Sequence, residues 1–272
     1  MRREKRTLEF AMTLLILLCS FYIGRLGAGL SVGSRAKTQI IEGQSSTEGA
    51  KAQANAGASG EQDNTGASKK QENAGTTVQD KITVVVDAGH GGIDAGKVGI
   101  NGALEKEINL AIAGKLKTLL EQQDVTVVMT RETDNGLYDE GEANKKQQDM
   151  KRRCAMIDET EAVLAVSIHQ NSYTQESVCG PQVFFYENSA QGRKLASILQ
   201  EALNAMPQVE RAREIKPNDS YYILRKTQTP TVIVECGFLS NAAEAERLSG
   251  EEYQETVAEA VCAGIVEYIR EG

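Results

Sequence analysis

The rhythm of apolar and polar positions changes twice along this chain. Residues 10–23 form one apolar run, interrupted only by Thr13 and Ser20. From residue 31 to 80 apolar side chains thin out, and from Lys81 onward short β-branched runs alternate with helical periodicity. The runs at 82–87, 125–130, 162–168, 182–186 and 231–235 predict strands. Between them, Ile108, Ile112, Leu116, Leu119 and Leu120 mark one face of a helix over 105–122. A second helix is expected over 147–157, and a third carries Leu195, Ile198, Leu199, Ala202 and Leu203. Asn241-Ala-Ala-Glu244 has the form of a helix N-cap with a reciprocal acid. Tyr253, Val257, Val261, Ile265 and Ile269 then run down one face of a C-terminal helix. Strands alternating with helices predict a single doubly wound α/β domain, its mostly parallel (mixed) sheet flanked by helices. At about 190 residues it is long enough for one sizeable core.

The first change of rhythm reads as an export signal. Arg2, Arg3, Lys5 and Arg6 precede the apolar run, which at about fourteen residues is shorter than the roughly 20 of a full span. No clear A-x-A cleavage site follows the run directly, so an uncleaved signal-anchor is favoured over a cleaved signal peptide for residues 1–30. The positive flank places the N-terminus in the cytoplasm and the remainder outside. Residues 31–80, rich in Gly, Ser, Asn and Gln, lack the apolar side chains that offset ordering entropy. They are expected to form a flexible linker with a root-mean-square reach of roughly 40 Å, leaving 81–272 as the catalytic domain. The expected location is the outer face of the membrane, in the cell-wall or spore-cortex space.

Charge and cysteine content narrow the partners. A formal net charge of −8 supplies no basic footprint for nucleic acid. The five cysteines are scattered and none pair as C-x-x-C, which removes a zinc knuckle and a dithiol redox motif. Those in the folded part are expected to be small buried hydrophobes.

The candidate chemistry lies where apolar runs stop. The chain has only two histidines. His90 follows the first β-branched run inside a glycine-rich turn, and His169 follows the third. Ligands of open α/β sheets bind outside the carboxyl ends of the strands, and imidazole is the commonest side-chain metal ligand. Glu105, at the start of the first long helix, is a third candidate ligand. His₂Glu is an established catalytic zinc set that leaves a position for water. Such a site needs a second carboxylate to handle protons, and Glu235 ends an otherwise apolar strand, where a carboxylate is costly unless paired or used. Asp87 and Asp94 fit better as orienters of the loop. A phosphate cradle at Gly89-x-Gly91-Gly92 is the competing reading, but it has neither the P-loop lysine nor the Rossmann spacing. The residues alone indicate a metal hydrolase.

Residues 82–269 resemble the zinc-dependent N-acetylmuramoyl-L-alanine amidases, the family also called amidase type 3. The likeness rests on Asp87-Ala-Gly-His-Gly-Gly-Ile-Asp-Ala-Gly96, Leu104-Glu-Lys-Glu-Ile-Asn-Leu110, Thr130-Arg131, Ser167-Ile-His-Gln-Asn171, Ile223-Leu-Arg225, Val234-Glu-Cys-Gly-Phe-Leu-Ser-Asn241 and Tyr253-Gln254. It implies one zinc held by His90, Glu105 and His169, with Glu235 as catalytic acid/base. It implies peptidoglycan as substrate, cut between muramic acid and L-alanine. Asn171 and Arg225 are candidate substrate contacts, Arg225 through a carboxylate. The chain departs from the family pattern at Lys97, where a small residue is usual, at Gln170 and at Asp158. The charged segment 136–153 and the anchor–linker–domain layout resemble the spore-cortex amidases, whose reaction leads towards muramic-δ-lactam. A zinc peptidase acting on stem peptides and a catalytically silent wall-binding or activator domain are the alternatives. No wall-binding repeats are present, so targeting falls to the anchor, the domain itself or an activating partner protein.

Overall fold

The computed structural model describes residues 81–272. The expected anchor, the linker and Cys19 lie outside the described residues. Among the described residues no helix is long and apolar enough to cross a membrane.

Six strands and six helices follow one another: β1 (Thr83–Ala88), α1 (Glu105–Glu121), β2 (Thr126–Met129), α2 (Lys145–Glu159), β3 (Leu164–Asn171), β4 (Gln182–Tyr186), α3 (Ala190–Asn204), β5 (Lys216–Asn218), α4 (Tyr222–Lys226), β6 (Thr231–Phe238), α5 (Ala242–Ser249) and α6 (Glu251–Glu271). The strands form one sheet in the order β2-β1-β3-β6-β4-β5. β2, β1, β3 and β6 are mutually parallel, whereas β4 runs antiparallel to β6 and carries β5 parallel to itself. This is the mixed α/β sheet that the alternating pattern predicts.

Strand periodicity divides the core into two layers. Val84 and Val86 of β1 join Val166, Val234 and the apolar stripes of α1, α3 and α6 on one face. Val85, Ala165, Phe184 and Ile233 point the other way, against Cys154 and Ile157 of α2 and Ile223 and Leu224 of α4. Two-residue steps along that second face lead from Val85 to Asp87, from Ala165 to Ser167 and His169, and from Ile233 to Glu235. The polar residues at the carboxyl ends therefore continue the face that α2 and α4 cover.

Two strands run further than their apolar runs suggest. β3 continues through His169 to Asn171, and β6 continues past Glu235 to Phe238. Both are central strands, and ladder pairs His169–Glu235 and Asn171–Phe238, with an irregularity between them, hold the extra residues in register. His169 thus sits within its strand rather than just beyond it, and Glu235 within its strand rather than at its end. β5 and α4 lie where no periodicity predicts an element. Lys-Pro-Asn has no apolar alternation, and its proline is tolerated because β5 is an edge strand. Asn241 caps α5, its side chain accepting from the Glu244 amide at 3.0 Å. Glu244 does not reciprocate; its carboxylate accepts from the amides of Phe238 (2.8 Å) and Gly180 (2.9 Å). Cys154, Cys236 and Cys262 are buried free thiols and Cys179 is partly exposed, in line with the expected packing role.

Candidate metal centre

Beyond Ala88 the chain turns sharply, and the turn is held from beneath by an ion network. His90 adopts the left-handed conformation at φ 63°, which a non-glycine residue rarely takes and which must be held by its surroundings. Arg153 of α2 supplies much of that hold. Its Nη2 donates to the His90 carbonyl at 2.6 Å, and Nη1 donates to Asp87 Oδ1 at 2.6 Å and to the Ala88 carbonyl at 2.8 Å. Its Nε donates to Asp149 Oδ2 at 2.6 Å. Asp87 also accepts from Thr130 Oγ1 at 2.7 Å and from Ser167 Oγ. Burial pushes the Asp87 carboxyl up, but Arg153 and the two hydroxyls outweigh it and bring it down to about 2. Arg131 clamps the same turn through the Ala88, Gly89 and Lys106 carbonyls.

This scaffold gathers the three candidate ligands. His90 Nε2 lies 3.2 Å from Glu105 Oε1, and His169 Nδ1 lies 3.0 Å from the same oxygen. The imidazoles meet edge to face, with centroids 4.9 Å apart. One candidate ligand atom from each residue falls within 4.8 Å of the others. Close packing leaves little freedom. A Cβ on Gly89 would collide with the His169 ring, and one on Gly96 would lie 2.6 Å from Glu105 Oε2 and 2.7 Å from His90 Cδ2. Asp94 Oδ2 stands 3.1 Å from His90 Nδ1, the arrangement that fixes a ligand histidine's tautomer and ring orientation. Burial raises Asp94, but the contact with His90, helped by Lys146 at 3.1 Å, brings it to about 2.

The electrostatics of the cluster fit a divalent cation. Glu105 is almost fully buried at 2% exposure. Burial would raise its carboxyl, yet the contacts with His169 and His90 outweigh that and hold it far below the usual carboxylate range. His169 is raised in turn, because Glu105 outweighs the effect of burial. No Lys or Arg side chain among the described residues forms an ion pair with Glu105. Its carboxylate accepts instead from the backbone amides of Lys97 (2.7 Å) and Gln170 (3.1 Å). Two imidazoles and a desolvated carboxylate aimed at one point, without a cationic side chain, are a donor set suited to zinc.

Glu235 completes the group. It is the ladder partner of His169 on the adjacent strand, about 4.8 Å away in the hydrogen-bonding direction. It is 8% exposed, and its Oε2 has no hydrogen-bond partner among the described residues. Burial pushes its carboxyl up to about 7, His169 opposing and Glu105 reinforcing the shift. A cavity of about 730 Å³ opens over His90, Glu105, His169 and Glu235. Asn171 lines it, with its side chain turned to the Ser172 amide at 2.8 Å. Arg225 does not line it and is exposed on α4.

Sequence reasoning missed the opposite wall, which is built by Tyr221, Tyr222 and Met150, and the buried Arg153 beneath the site. Arg153 left a signal. It occupies the stripe Met150–Arg153/Cys154–Ile157, where a charge on an apolar helix face needs a buried partner.

Comparison with known proteins identifies the family. Residues 84–267 match the family described as N-acetylmuramoyl-L-alanine amidase. The germination-specific N-acetylmuramoyl-L-alanine amidase of Bacillus subtilis is 35% identical over 191 residues, spanning 69% of this chain and 80% of that protein. The CwlD amidase of Clostridioides difficile, solved in complex with the GerS lipoprotein, is 38% identical. It matches with a TM-score of 0.68 over 71% of this chain and 100% of that one. The catalytic domain of CwlV from Bacillus (Paenibacillus) polymyxa is 31% identical, with a TM-score of 0.62 over 70% of this chain and 98% of that one. The chain belongs to the N-acetylmuramoyl-L-alanine amidase family.

Proposed function

We propose that this peptidoglycan amidase cuts the bond between N-acetylmuramic acid and L-alanine with zinc held by His90, Glu105 and His169, and with Glu235 as acid/base. One observation carries the reading: a buried carboxylate oxygen, Glu235 Oε2, without a partner, beside two imidazoles that converge on a second buried carboxylate. When bound, zinc supplies Lewis acidity, polarising a carbonyl and lowering the pKa of water from about 15.7 to about 7. The chain's own groups supply positioning and proton transfer. Asp94 holds the His90 ring, and Arg153 holds its backbone. Glu235 Oε2 takes a proton from the attacking water as its oxygen bonds to the lactyl carbonyl carbon. The same oxygen then gives the proton to the nitrogen of L-alanine as the C–N bond breaks. A carboxyl pushed up towards neutrality by burial suits both directions.

The cellular role we assign is spore-cortex maturation, as the step that precedes muramic-δ-lactam formation. The name of the B. subtilis relative supports it, as does the charged segment 136–153, which runs into α2. Residues 1–30 serve in this reading as a membrane signal-anchor and 31–80 as its tether, with the domain working outside the cytoplasm. The lipoprotein bound to the C. difficile relative supports an activating partner for this chain as well.

The test is mass spectrometry of peptides released from purified peptidoglycan by the zinc-loaded chain, with and without a chelator. Intact stem peptides beginning with L-alanine are expected, lost on chelation and restored by zinc. Shorter peptides would replace this reading with a stem-peptide zinc peptidase. No release under any condition would favour a silent wall-binding domain.

A further inference from the structure

Among the described residues the cavity has one cationic side chain with nothing to pair it. Arg153 is committed to Asp87, Asp149 and the His90 carbonyl. Lys146 stands 3.1 Å from Asp94. Lys97 lines the same cavity and is exposed, and its ammonium makes no ion pair or hydrogen bond with the described residues. Most exposed lysines are simply solvated, but this one has an unusual root. Its amide donates to Glu105 Oε2 at 2.7 Å, and its carbonyl accepts from the Glu105 amide at 2.9 Å. The preceding Gly96 is wedged against Glu105 and His90, with no room for a Cβ. The base of Lys97 is therefore fixed to a residue of the candidate metal centre, while its charge moves on a flexible four-carbon stem.

The ligand class follows from what lies next to the reacting bond. The departing stem begins with L-alanine, and the α-carbon of the following residue is about 3.8 Å further on across a trans peptide. A free carboxylate on that second residue is the nearest anionic group of the stem, and the counter-charge available in the cavity is the Lys97 ammonium, rooted beside Glu105. The acids of the cavity wall do not compete for it. Asp94 is met by His90 and Lys146, Asp87 and Asp149 by Arg153, and Glu235 faces the reacting bond.

We propose that Lys97 is a specificity-determining residue that reads a free α-carboxylate on the stem residue following L-alanine. The proposal rests on the amidase reading. An uncharged carboxamide at that position offers Lys97 no counter-charge, so the contact separates free from amidated stems. It acts on ground state and transition state alike, so it appears in KM rather than kcat.

The experiment uses the full, zinc-loaded chain and two N-acetylmuramoyl peptides that differ only at the second stem residue, D-isoglutamate or D-isoglutamine. The wild-type chain is expected to favour the carboxylate by about three- to tenfold in kcat/KM, the size of one partly screened charge contact. Added salt shrinks that ratio. Lys97→Met brings it towards one, Lys97→Arg keeps it, and Lys97→Glu inverts it. Free stem peptides titrated into the chain by calorimetry follow the same order of affinity. Equal rates on both substrates by the wild-type chain, or a preference that survives in Lys97→Met, would overturn the assignment and leave the amidase reading intact. Release from neither substrate, with any required partner present, would overturn both.

Discussion

Asp87 and Glu235 stand on strands that flank β3 on either side and point to the same face of the sheet, and both are buried. Asp87 meets a guanidinium and two hydroxyls, and its carboxyl is held down to about 2. Glu235 has one oxygen with no partner, and burial drives its carboxyl up to about 7. The contrast separates two uses of a buried charge. A carboxylate whose hydrogen-bonding capacity is met inside the fold serves as scaffold. One left short of partners beside a candidate ligand cluster and a cavity is the one we assign to proton transfer.

The comparison can be broken on the scaffold side first. Arg153→Met leaves Asp87 and Asp149 without their counter-charge and frees the His90 carbonyl. Removing one partner of a buried ion network costs about 3–5 kcal/mol, so chemical unfolding of the metal-free chain should show a loss of that order. A loss below about 1 kcal/mol would mean that Arg153 does not hold the turn.

A smaller effect is expected in acid. The folded pKa of Asp87 lies below its unfolded value, so its contribution is fully present above the ordinary carboxyl range. It is lost as pH falls through about 2. The shift corresponds to about 2 kcal/mol. Asp87→Asn, less stable at neutral pH, should lose less on acidification than the wild type by about that amount. Parallel stability curves between pH 5 and 2 would contradict the scaffold role.

Much of this contrast is visible in the amino-acid order, because the ligand candidates sit where β-branched runs give way to small or polar residues. His90 and His169 stand out in a chain with only two histidines, whereas Glu105 gains meaning only beside them, since acids are common in a first helical turn. The reach of β3 and β6 past His169 and Glu235 is not visible. Cys236-Gly237-Phe238 has a glycine that weakens any strand reading, and only pairing with β3 keeps it extended. Arg153 leaves only its place on the apolar stripe of α2 as a signal, and the aspartate that explains it, Asp87, lies 66 residues away in sequence. Of the tyrosine wall, Tyr222 opens α4 and Tyr221 is the residue just before it, in an element too short to leave a periodicity.

The account stands or falls on Glu235. Glutamine is nearly isosteric, and Glu235 is not among the proposed ligands, so Glu235→Gln should fold and bind zinc as the wild type does. At matched zinc content, and with any required partner present, its release of intact stem peptides from peptidoglycan should fall by roughly 10²–10⁴, the range of general acid–base catalysis. Near-normal release by the zinc-loaded variant would contradict the claim that the partnerless carboxylate carries the proton.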